Sequence, residues 1–500
     1  MKTTLLFITL FVSITIFGQS EKTRTNLFKK IVLESYKGKD QLKLILPTDT
    51  APINYSAIDS LSLSTINTIL SEVSKCKNLK HLKIIDTIIE DYSFLEHFPL
   101  LQSLDINDNH ISDIQFLENL TQLKTLVLYR NQIVDISPLN KLTQLKELAL
   151  DYNQIIDISP LKNLTQLEKL GLYHNHISDI SPLEKMIKLK YLTLGDNQIV
   201  DISPLKKMIK LEYLELENNQ IVGINALKKL RQLKILKLLH NSITDLSPLK
   251  KLIKLKRLYF QTNGVTDFNF LKELTQLESL DLEESNITTL DFLDKLTQLE
   301  SLYLGHNDKI TNYSSLKKLT RLTYLGLEEN RIIDASFLEE IPSLTGLSLQ
   351  NNSISNCNFL TKLSLLEYLE LDKNQITDIP ISLEQLHELT NLSISSNKIT
   401  NIDNLKKLSN LIILDVRENN ITDINSLSGL SKLKRLYLNN NKISNIQPLE
   451  TLTQLEELRL NDNNNIAIYF STEKGKNYNQ IPESDLQHLE SLLLNCNTDF

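Results

Sequence analysis

The stretch "NQIVDISPLNKLTQL", from Asn131 to Leu145, is a phrase that the chain repeats with small changes over most of its 500 residues. Aligned, the copies give the unit L-x-x-L-x-L-x-x-N-x-I-x-x-I-x-x-L-x-x-L-x-x. Eighteen copies open between Leu79 and Leu455, with a spacing of 22 residues that lengthens to 23 only after Leu299 and Leu366. A fixed period of this length is typical of a stacked array, in which one core grows by the addition of units.

The first half of each unit alternates like a β-strand. In "LKELALDYN", which ends at Asn153, Leu148 and Leu150 are predicted to face the core, and the residues beside them are predicted to face outward. The amide of Asn153 can both donate and accept hydrogen bonds. We therefore expect stacked copies to align their asparagines in a ladder that satisfies backbone groups in the core, with Thr87 and Ser285 as hydrogen-bonding exceptions.

The second half of each unit contains a recurring Ser-Pro or related step, which disfavours a long α-helix. The prolines at this position are Pro138, Pro160, Pro182, Pro204, Pro248 and Pro448. We predict short 3-10 turns or extended segments on this side of the array.

This unit is identified as a leucine-rich repeat. The variant "NQIVDISPLNKLTQLKELALDYN" resembles the repeats of bacterial internalins and is also similar to those of the protein-phosphatase-1 regulatory subunit. The resemblance covers roughly Leu79 to Phe500. It implies an α/β-type solenoid, a leucine-rich-repeat superhelix with a concave parallel β-sheet and a convex side of 3-10 turns and extended segments. In internalins the concave face binds host proteins, but residues 20–78 do not match the internalin cap, so a role in invasion is not carried over.

The first residues have the pattern of a signal peptide. Lys2 gives a positive start, an apolar run follows from Leu5 to Phe17, and Gly18 supplies a small residue near the end. The run is shorter than the ~20 apolar residues that a membrane span needs. Residues 1–19 are therefore predicted to be cleaved, and the protein is expected to be exported to the periplasm or the extracellular space.

Three further segments follow from the position of the array. Residues 20–78 are predicted to form an N-terminal cap, with an amphipathic helix over 64–78. Residues 79–463 are predicted to form the solenoid. Residues 464–500 are predicted to contain an expanded last repeat and the C-terminal cap.

Composition and motifs exclude several classes of function. The net charge is −7, which argues against general nucleic-acid binding because that function needs a basic face. No H-E-x-x-H, G-x-S-x-G, C-x-x-C, P-loop or dinucleotide motif occurs, so neither catalysis nor a cofactor or metal is predicted. The cysteines Cys76, Cys357 and Cys496 lie many repeats apart and are expected to be free thiols.

Function is expected in the positions that vary, which are the third, fifth, seventh and eighth of each unit. Ten of the sixteen tyrosines fall there, together with nineteen Asp or Glu and nine Lys or Arg. Tyrosine favours strands, but it is also the residue that interfaces favour. The predicted partner-binding residues are Tyr129, Tyr152, Tyr173, Tyr191, Tyr213, Glu215, Glu217, Tyr259, Asp281, Glu283, Tyr303, Tyr324, Glu328, Tyr368 and Glu370.

Glu215 and Glu217 lie two apart on one predicted strand face, a spacing that can suit acid–base chemistry. We expect both to be exposed, without desolvation and without a partner. They are therefore assigned to a charged binding surface rather than to catalysis.

The sequence thus predicts an exported, monomeric protein that binds another macromolecule on a tyrosine-rich acidic face. The expected partner is a protein with a basic surface, attracted by the acidic field. Two alternatives remain open: a glycan ligand that stacks on the tyrosines, and an intracellular phosphatase-regulating scaffold if residues 1–19 are not a signal peptide.

Overall fold

The computed structural model describes residues 80–85, 91–261 and 263–463, together with the backbone of three further strands. The chain divides into two compact units, an N-terminal unit of residues 1–254 and a C-terminal unit of residues 255–500. Within the described residues every helix is a short 3-10 helix.

Ten described strands form the sheet of the N-terminal unit. Strands β2 to β10 pair in parallel in sequence order, and β1 pairs antiparallel with β2. The strands are β1 Val32–Leu33, β2 Gln41–Ile45, β3 His81–Ile85, β4 Ser103–Asp105, β5 Thr125–Val127, β6 Glu147–Ala149, β7 Lys169–Gly171, β8 Tyr191–Thr193, β9 Tyr213–Glu215 and β10 Ile235–Lys237.

Eleven described strands form the sheet of the C-terminal unit. Strands β11 to β20 pair in parallel, and β21 pairs antiparallel with β20. The strands are β11 Arg257–Tyr259, β12 Ser279–Asp281, β13 Ser301–Tyr303, β14 Tyr324–Gly326, β15 Gly346–Ser348, β16 Tyr368–Glu370, β17 Asn391–Ser393, β18 Ile413–Asp415, β19 Arg435–Tyr437, β20 Glu457–Arg459 and β21 Tyr469–Ser471.

The register of the strands follows the repeat. Leu126 lies opposite Leu148, one unit of 22 residues later. Where the sequence lengthens a unit to 23 residues, the strands keep their register, so Ser301 lies opposite Tyr324. The extra residue is therefore absorbed outside the sheet, as the repeat alignment predicts.

Short 3-10 helices connect successive strands, which confirms the predicted form of the second half of each unit. In the N-terminal unit they are Ser93–His97, Gln115–Leu117, Ser137–Lys141, Ser159–Asn163, Ser181–Lys185, Ser203–Lys207, Asn225–Lys229 and Ser247–Lys251. In the C-terminal unit they are Asn269–Glu273, Asp291–Lys295, Ser314–Lys318, Ser336–Glu340, Asn358–Lys362, Ile381–Gln385, Asp403–Leu405, Asn425–Gly429 and Gln447–Thr451.

The step before each 3-10 helix explains the recurring phrase D-I-S-P. Asp135 accepts hydrogen bonds from the backbone N–H of Ser137 at 2.8 Å and from the Ser137 hydroxyl at 2.9 Å. Pro138 follows at the start of the helix, where its fixed φ fits and its missing N–H costs nothing. The equivalent bonds from Ser159 hold the pKa of Asp157 below its ordinary value. The aspartate therefore starts the turn that brings the chain back to the next strand.

Each unit contributes its consensus aliphatic residues to one core. In the unit that opens at Leu145, the side chains of Leu148, Leu150 and Ile155 are at most 1% exposed. The residues beside Leu148 on β6 are half-buried on the opposite face of the sheet. This alternation confirms the predicted strand, in which inward and outward positions differ by one residue.

The predicted asparagine ladder is present. The side-chain amide of Asn153 donates to the carbonyls of Leu128 and Leu150, both at 3.0 Å, and accepts from the N–H of Ile133 at 3.0 Å. Asn175 makes the equivalent bonds one unit later, to the carbonyl of Leu150 and from the N–H of Ile155. Each asparagine thus joins its own unit to the one before it.

Ser285 occupies a ladder position without an amide. Its backbone N–H donates to Asn307 Oδ1 at 3.2 Å, and its hydroxyl donates to the carbonyl of Glu283 at 3.0 Å. The predicted hydrogen bonding of this exception is therefore confirmed. The other exception, Thr87, lies outside the described residues.

Several predicted features also lie outside the described residues: the signal peptide at 1–19, the helix over 64–78, Cys76 and Cys496. Within the predicted cap at 20–78, β2 pairs in parallel with β3. Within the predicted expansion at 464–500, only the backbone of β21 is described. Cys357 is a free, buried cysteine, and burial raises the pKa of its thiol to about 12.

We expect Asn153→Ala to destabilise the N-terminal unit by roughly 1–3 kcal/mol, because it leaves the N–H of Ile133 buried without a partner. It also removes one of the two asparagine amides that donate to each of the carbonyls of Leu128 and Leu150. Amide hydrogen exchange should also accelerate at Ile133. The exposed Asn163→Ala is the matched control and should change the free energy of unfolding by less than about 0.5 kcal/mol. Equal effects of the two substitutions in urea titrations would contradict the ladder.

Candidate binding site

A hollow of about 370 Å³ lies on the outer face of the sheet of the N-terminal unit, the face that points away from the aliphatic core. Its lining comes from the variable positions of six consecutive repeats. We call it the tyrosine hollow, and it is lined by Tyr129, Asp151, Tyr152, Tyr173, Tyr191, Thr193, Glu215, Glu217 and Lys237. Neighbouring strands are ~4.8 Å apart, so residues one repeat apart can meet side by side.

The aromatic rings of the hollow pack against one another in pairs. The rings of Tyr191 and Tyr213 stack with centroids 4.2 Å apart and an angle of 11° between their planes. The ring of Tyr152 lies 5.4 Å from that of Tyr129 and 5.4 Å from that of Tyr173. Burial raises the pKa of Tyr173 to about 12, so its hydroxyl stays neutral at physiological pH. The paired rings therefore form an aromatic wall of the hollow.

Two glycines make room for the hollow. A Cβ atom at Gly171 would lie 2.0 Å from Oδ2 of Asp151, and a Cβ atom at Gly195 would lie 2.9 Å from the ring of Tyr173. Both glycines stand at variable, outward positions of their repeats. Because glycine has no side chain, the carboxylate of Asp151 packs against the backbone at Gly171, and the ring of Tyr173 packs against the backbone at Gly195.

Two carboxyl groups of the hollow are kept from full hydration. Asp151 accepts hydrogen bonds from the N–H of Tyr173 at 2.9 Å and from the hydroxyl of Thr193 at 2.8 Å, while burial raises its pKa. Burial, and next the charge of Glu215, raise the pKa of Glu217 to about 7. Among the described residues, Oε2 of Glu217 is buried without a hydrogen-bond partner. The hollow therefore holds carboxyl groups that a cation would stabilise in their charged form.

The expectation that Glu215 and Glu217 are exposed and fully hydrated is wrong for both residues, and the expected lack of a partner is wrong for Glu215. Glu215 is buried, accepts a hydrogen bond from the hydroxyl of Tyr213 and forms an ion pair with Lys237. Glu217 is half-buried beside Gly195. The alternation of the strand gives the direction of these side chains correctly, but it does not predict that Tyr213 on the same strand and Lys237 on the next strand contact Glu215.

The C-terminal unit repeats the combination of tyrosine, glycine and carboxylate. The rings of Tyr303 and Tyr324 lie 5.0 Å apart, and a Cβ atom at Gly346 would lie 2.7 Å from the ring of Tyr324. Burial, followed by the charges of Asp281 and Glu328, raises the pKa of Glu283 to about 7. Asp281, expected at an exposed position, is also buried.

A second hollow of about 500 Å³ lies in the C-terminal unit. Its lining is polar and contains no tyrosine: His306, Glu328, Glu329, Gln350, Asn351, Glu370, Asp372, Lys373, Ser393, Ser395, Asp415 and Arg417. Most of these groups already have partners within the chain. Tyr368 donates to Glu370, and the hydroxyl of Ser393 donates to Asp372. Arg417 lies 3.2 Å from Asp415, although burial raises the pKa of Asp415 to about 6.

Within each unit, the structure brings many of the predicted site residues together. In the N-terminal unit, all but Tyr213 line the tyrosine hollow, and Tyr213 stacks on one of its walls. In the C-terminal unit, Glu328 and Glu370 line the second hollow. Tyr259 lines neither hollow, and its hydroxyl lies 3.5 Å from that of Ser279.

Sequence reasoning missed Asp151, Thr193, Lys237, Gly171 and Gly195. A signal for the glycines was available, because five of the eleven glycines stand at variable outward positions. Glycine weakens a strand, so a glycine at an outward strand position indicates that a neighbouring group packs closely against the backbone.

In the part of the chain that the structure describes, no group of three or more His, Cys, Asp or Glu is arranged to hold a metal ion. The same residues include no helix with the length and apolar character needed to cross a bilayer.

Family models match most of the array. The model described as "Leucine Rich repeats (2 copies)" matches residues 99–141, 121–163, 143–185, 165–207, 187–231, 209–251, 231–273, 275–318, 297–340, 364–407 and 431–471. A second model, "Leucine rich repeat", matches residues 387–443. Together the matches cover more than half of the chain, which confirms the repeat identified from the sequence. No curated protein matches the chain.

Solved structures share the fold. The leucine-rich repeat protein LIC12759 of Leptospira interrogans is 24% identical, over 75% of this chain and 92% of that chain, with a TM-score of 0.54. The functional domain of InlJ from Listeria monocytogenes, which includes a cysteine ladder, is 24% identical, over 72% of each chain, with a TM-score of 0.51. TLR13, solved as a complex with ssRNA13, is 26% identical, over 79% of this chain and 63% of that chain, with a TM-score of 0.52.

We expect Gly171→Ala to destabilise the N-terminal unit by about 1–3 kcal/mol, because the new methyl group displaces Asp151 from its bonds to Tyr173 and Thr193. Gly223→Ala is the matched control, since a Cβ atom there meets nothing within 4 Å. Thermal unfolding of both variants checks the prediction. A stable Gly171→Ala variant would show that Asp151 has no fixed place in the hollow.

Glu217→Gln should stabilise the protein at pH 8 by about 1–3 kcal/mol and leave its stability near pH 4 unchanged. A raised pKa means that the folded state holds the proton more tightly than the unfolded state. The penalty for the ionised carboxylate is therefore absent below the ordinary pKa of 4.5 and complete above about pH 7. Denaturant titrations at the two pH values test this, with the exposed Glu96→Gln as the control. A stabilisation that is equal at both pH values would argue against a buried, ionisable Glu217.

Proposed function

The chain belongs to the leucine-rich repeat family, and we propose that it is an exported, non-enzymatic protein that binds a basic protein partner on the outer face of its sheet. A solved structure of the same fold, TLR13, holds a macromolecular ligand, ssRNA13. The observation that carries the proposal is the tyrosine hollow, in which aromatic rings and partly desolvated carboxylates line the same depression.

The hollow fits a cationic side chain. Aromatic faces attract ammonium and guanidinium groups, and the attraction is larger where water is excluded. Oε2 of Glu217, which is buried without a hydrogen-bond partner among the described residues, supplies an acceptor for such a group. Asp151 adds a second carboxyl group at the floor. A lysine or arginine of the partner would thus contact rings and carboxylates at the same time.

The chain itself already uses this combination. The guanidinium carbon of Arg130 lies 5.1 Å from the ring centroid of Tyr129 and 5.4 Å from that of Tyr152. Lys237 lies at the edge of the hollow in an ion pair with Glu215. The face therefore tolerates bound cations, and a partner would extend a pattern that the fold supports.

Export rests on the first nineteen residues and is part of the same proposal. Sequencing the mature N-terminus from fractionated cells tests it. A chain that starts near residue 20 outside the cytoplasm supports export. An intact cytoplasmic chain would favour the phosphatase-regulating scaffold instead.

We expect Tyr129→Ala combined with Tyr191→Ala to weaken binding of a fluorescent oligolysine peptide about tenfold or more, because the rings that contact the cation are removed. Affinity should also fall with added salt and with pH below about 7, as Glu217 gains its proton. Fluorescence anisotropy measures both effects.

The matched ligand control is the same peptide with acetylated lysines, which keeps its length and loses its charge. The matched protein control is Val134→Ala combined with Ile156→Ala, since both side chains are exposed and do not line the hollow. Equal binding of both peptides would refute recognition of a cation. Ligands found only on a glycan array would favour the sugar-binding alternative.

A further inference from the structure

A patch of positive charge lies on the N-terminal unit, in a chain whose net charge is −7. It consists of residues 184–188, 206–210, 228–232 and 250–254, which occupy the same position in four consecutive repeats. These segments contain one acidic residue, Glu184, and eleven basic ones. The basic residues are Lys185, Lys188, Lys206, Lys207, Lys210, Lys228, Lys229, Arg231, Lys250, Lys251 and Lys254, all of them exposed.

The four segments are neighbours in space. Each contains the end of a 3-10 helix and the turn that follows it, and the 3-10 helices of consecutive repeats pack against one another. The patch therefore lies on the helical side of the unit, whereas the tyrosine hollow lies on its sheet.

Few charges of the patch are paired, although the carboxylates of Glu168, Asp201 and Glu212 lie near Lys188, Lys206 and Lys254. Within the described residues, the one ion pair in the patch joins Lys207 to Glu184 at 3.0 Å. Beside the patch, by contrast, a lysine is paired, since Lys190 forms an ion pair with Glu168 at 2.8 Å. The positive charge is thus concentrated in the four segments and available to an external anion.

Large apolar side chains project among these lysines. Ile187, Ile209 and Ile253 are 51%, 55% and 56% exposed. A tight turn holds the first of them outward, since the N–H of Ile187 donates to the carbonyl of Lys185 at 2.9 Å. Thr143 makes the same turn at the same position of another repeat. The fold therefore accepts a polar residue there and does not require isoleucine.

We propose that this basic patch docks the N-terminal unit onto an anionic phospholipid bilayer. Lysines on one surface are attracted by the negative potential of such a bilayer, and the isoleucines between them fit the apolar zone below the headgroups. A soluble polyanion would use the lysines but would leave the isoleucines in water. The acidic remainder of the chain is repelled by the same surface, so it would orient the patch toward the lipid.

Co-sedimentation of the full chain with vesicles tests the proposal. We expect binding to phosphatidylcholine vesicles that contain about one third phosphatidylglycerol, and little binding to pure phosphatidylcholine. The combined variant Lys206→Gln, Lys210→Gln, Lys228→Gln and Lys250→Gln should bind the anionic vesicles at least about tenfold more weakly than the wild type. Added salt should weaken the binding of the wild type.

A second variant separates lipid from soluble anions. Ile187→Thr combined with Ile209→Thr and Ile253→Thr keeps every charge, so it should bind heparin like the wild type but bind vesicles several-fold more weakly. The matched control is Val134→Thr combined with Ile156→Thr and Val222→Thr, which removes equally exposed apolar side chains outside the patch.

Circular dichroism confirms that each variant folds. Three outcomes would overturn the proposal: equal binding to both kinds of vesicle, unchanged affinity of the lysine variant, or unchanged vesicle affinity of the isoleucine variant. The last would identify the patch as a site for soluble polyanions.

Discussion

In nearly every repeat the strand ends near an asparagine. Where the chain turns, backbone groups lose their partners in the sheet, and the asparagine side chain supplies hydrogen bonds to them instead. Asn153 donates to carbonyls of its own and the preceding repeat and accepts from an N–H of the preceding repeat. Without it, polar backbone groups would remain unpaired beside a core of leucine and isoleucine, where such groups are costly. The ladder therefore fixes where each strand ends and keeps the repeats in register. The extra residue in two of the units is absorbed outside the sheet.

Because the consensus positions are occupied by structural residues, the outward positions are free to carry function. Parallel, in-register strands place equal positions of successive repeats side by side, so a tyrosine in one repeat meets the side chains of the next. Tyr191 and Tyr213 become a stacked pair in this way. Glycine at an outward position then lowers the surface locally, as at Gly171 and Gly195, and a flat strand face becomes a hollow.

Covering a carboxylate with aromatic rings changes its chemistry. Glu217 points outward, yet burial and the charge of Glu215 raise its pKa to about 7. A group in that range can release its proton when a cation arrives, so binding and pH become linked. The lysines collect instead on the helical side of the N-terminal unit. The two sides of this unit thus present opposite charges, and each is suited to a different kind of partner.

The sequence by itself determined the repeat, the inward direction of Leu148 and Leu150, the ladder role of Asn153 and the short turns that begin at the Ser-Pro step. These features depend on contacts that every repeat makes in the same way, so the consensus records them. The alternation of residues along each strand also predicts the direction in which the tyrosine and acidic side chains point. It does not predict how deeply those side chains are buried.

Only the tertiary structure decided that Glu215 is buried and paired, that Asp151 accepts a hydrogen bond from Thr193, and that the outward glycines shape a hollow. Those facts depend on residues 20 to 42 positions away in the chain. Their identity varies from repeat to repeat, so the desolvation of a given carboxylate is a property of the neighbours that stacking brings to it.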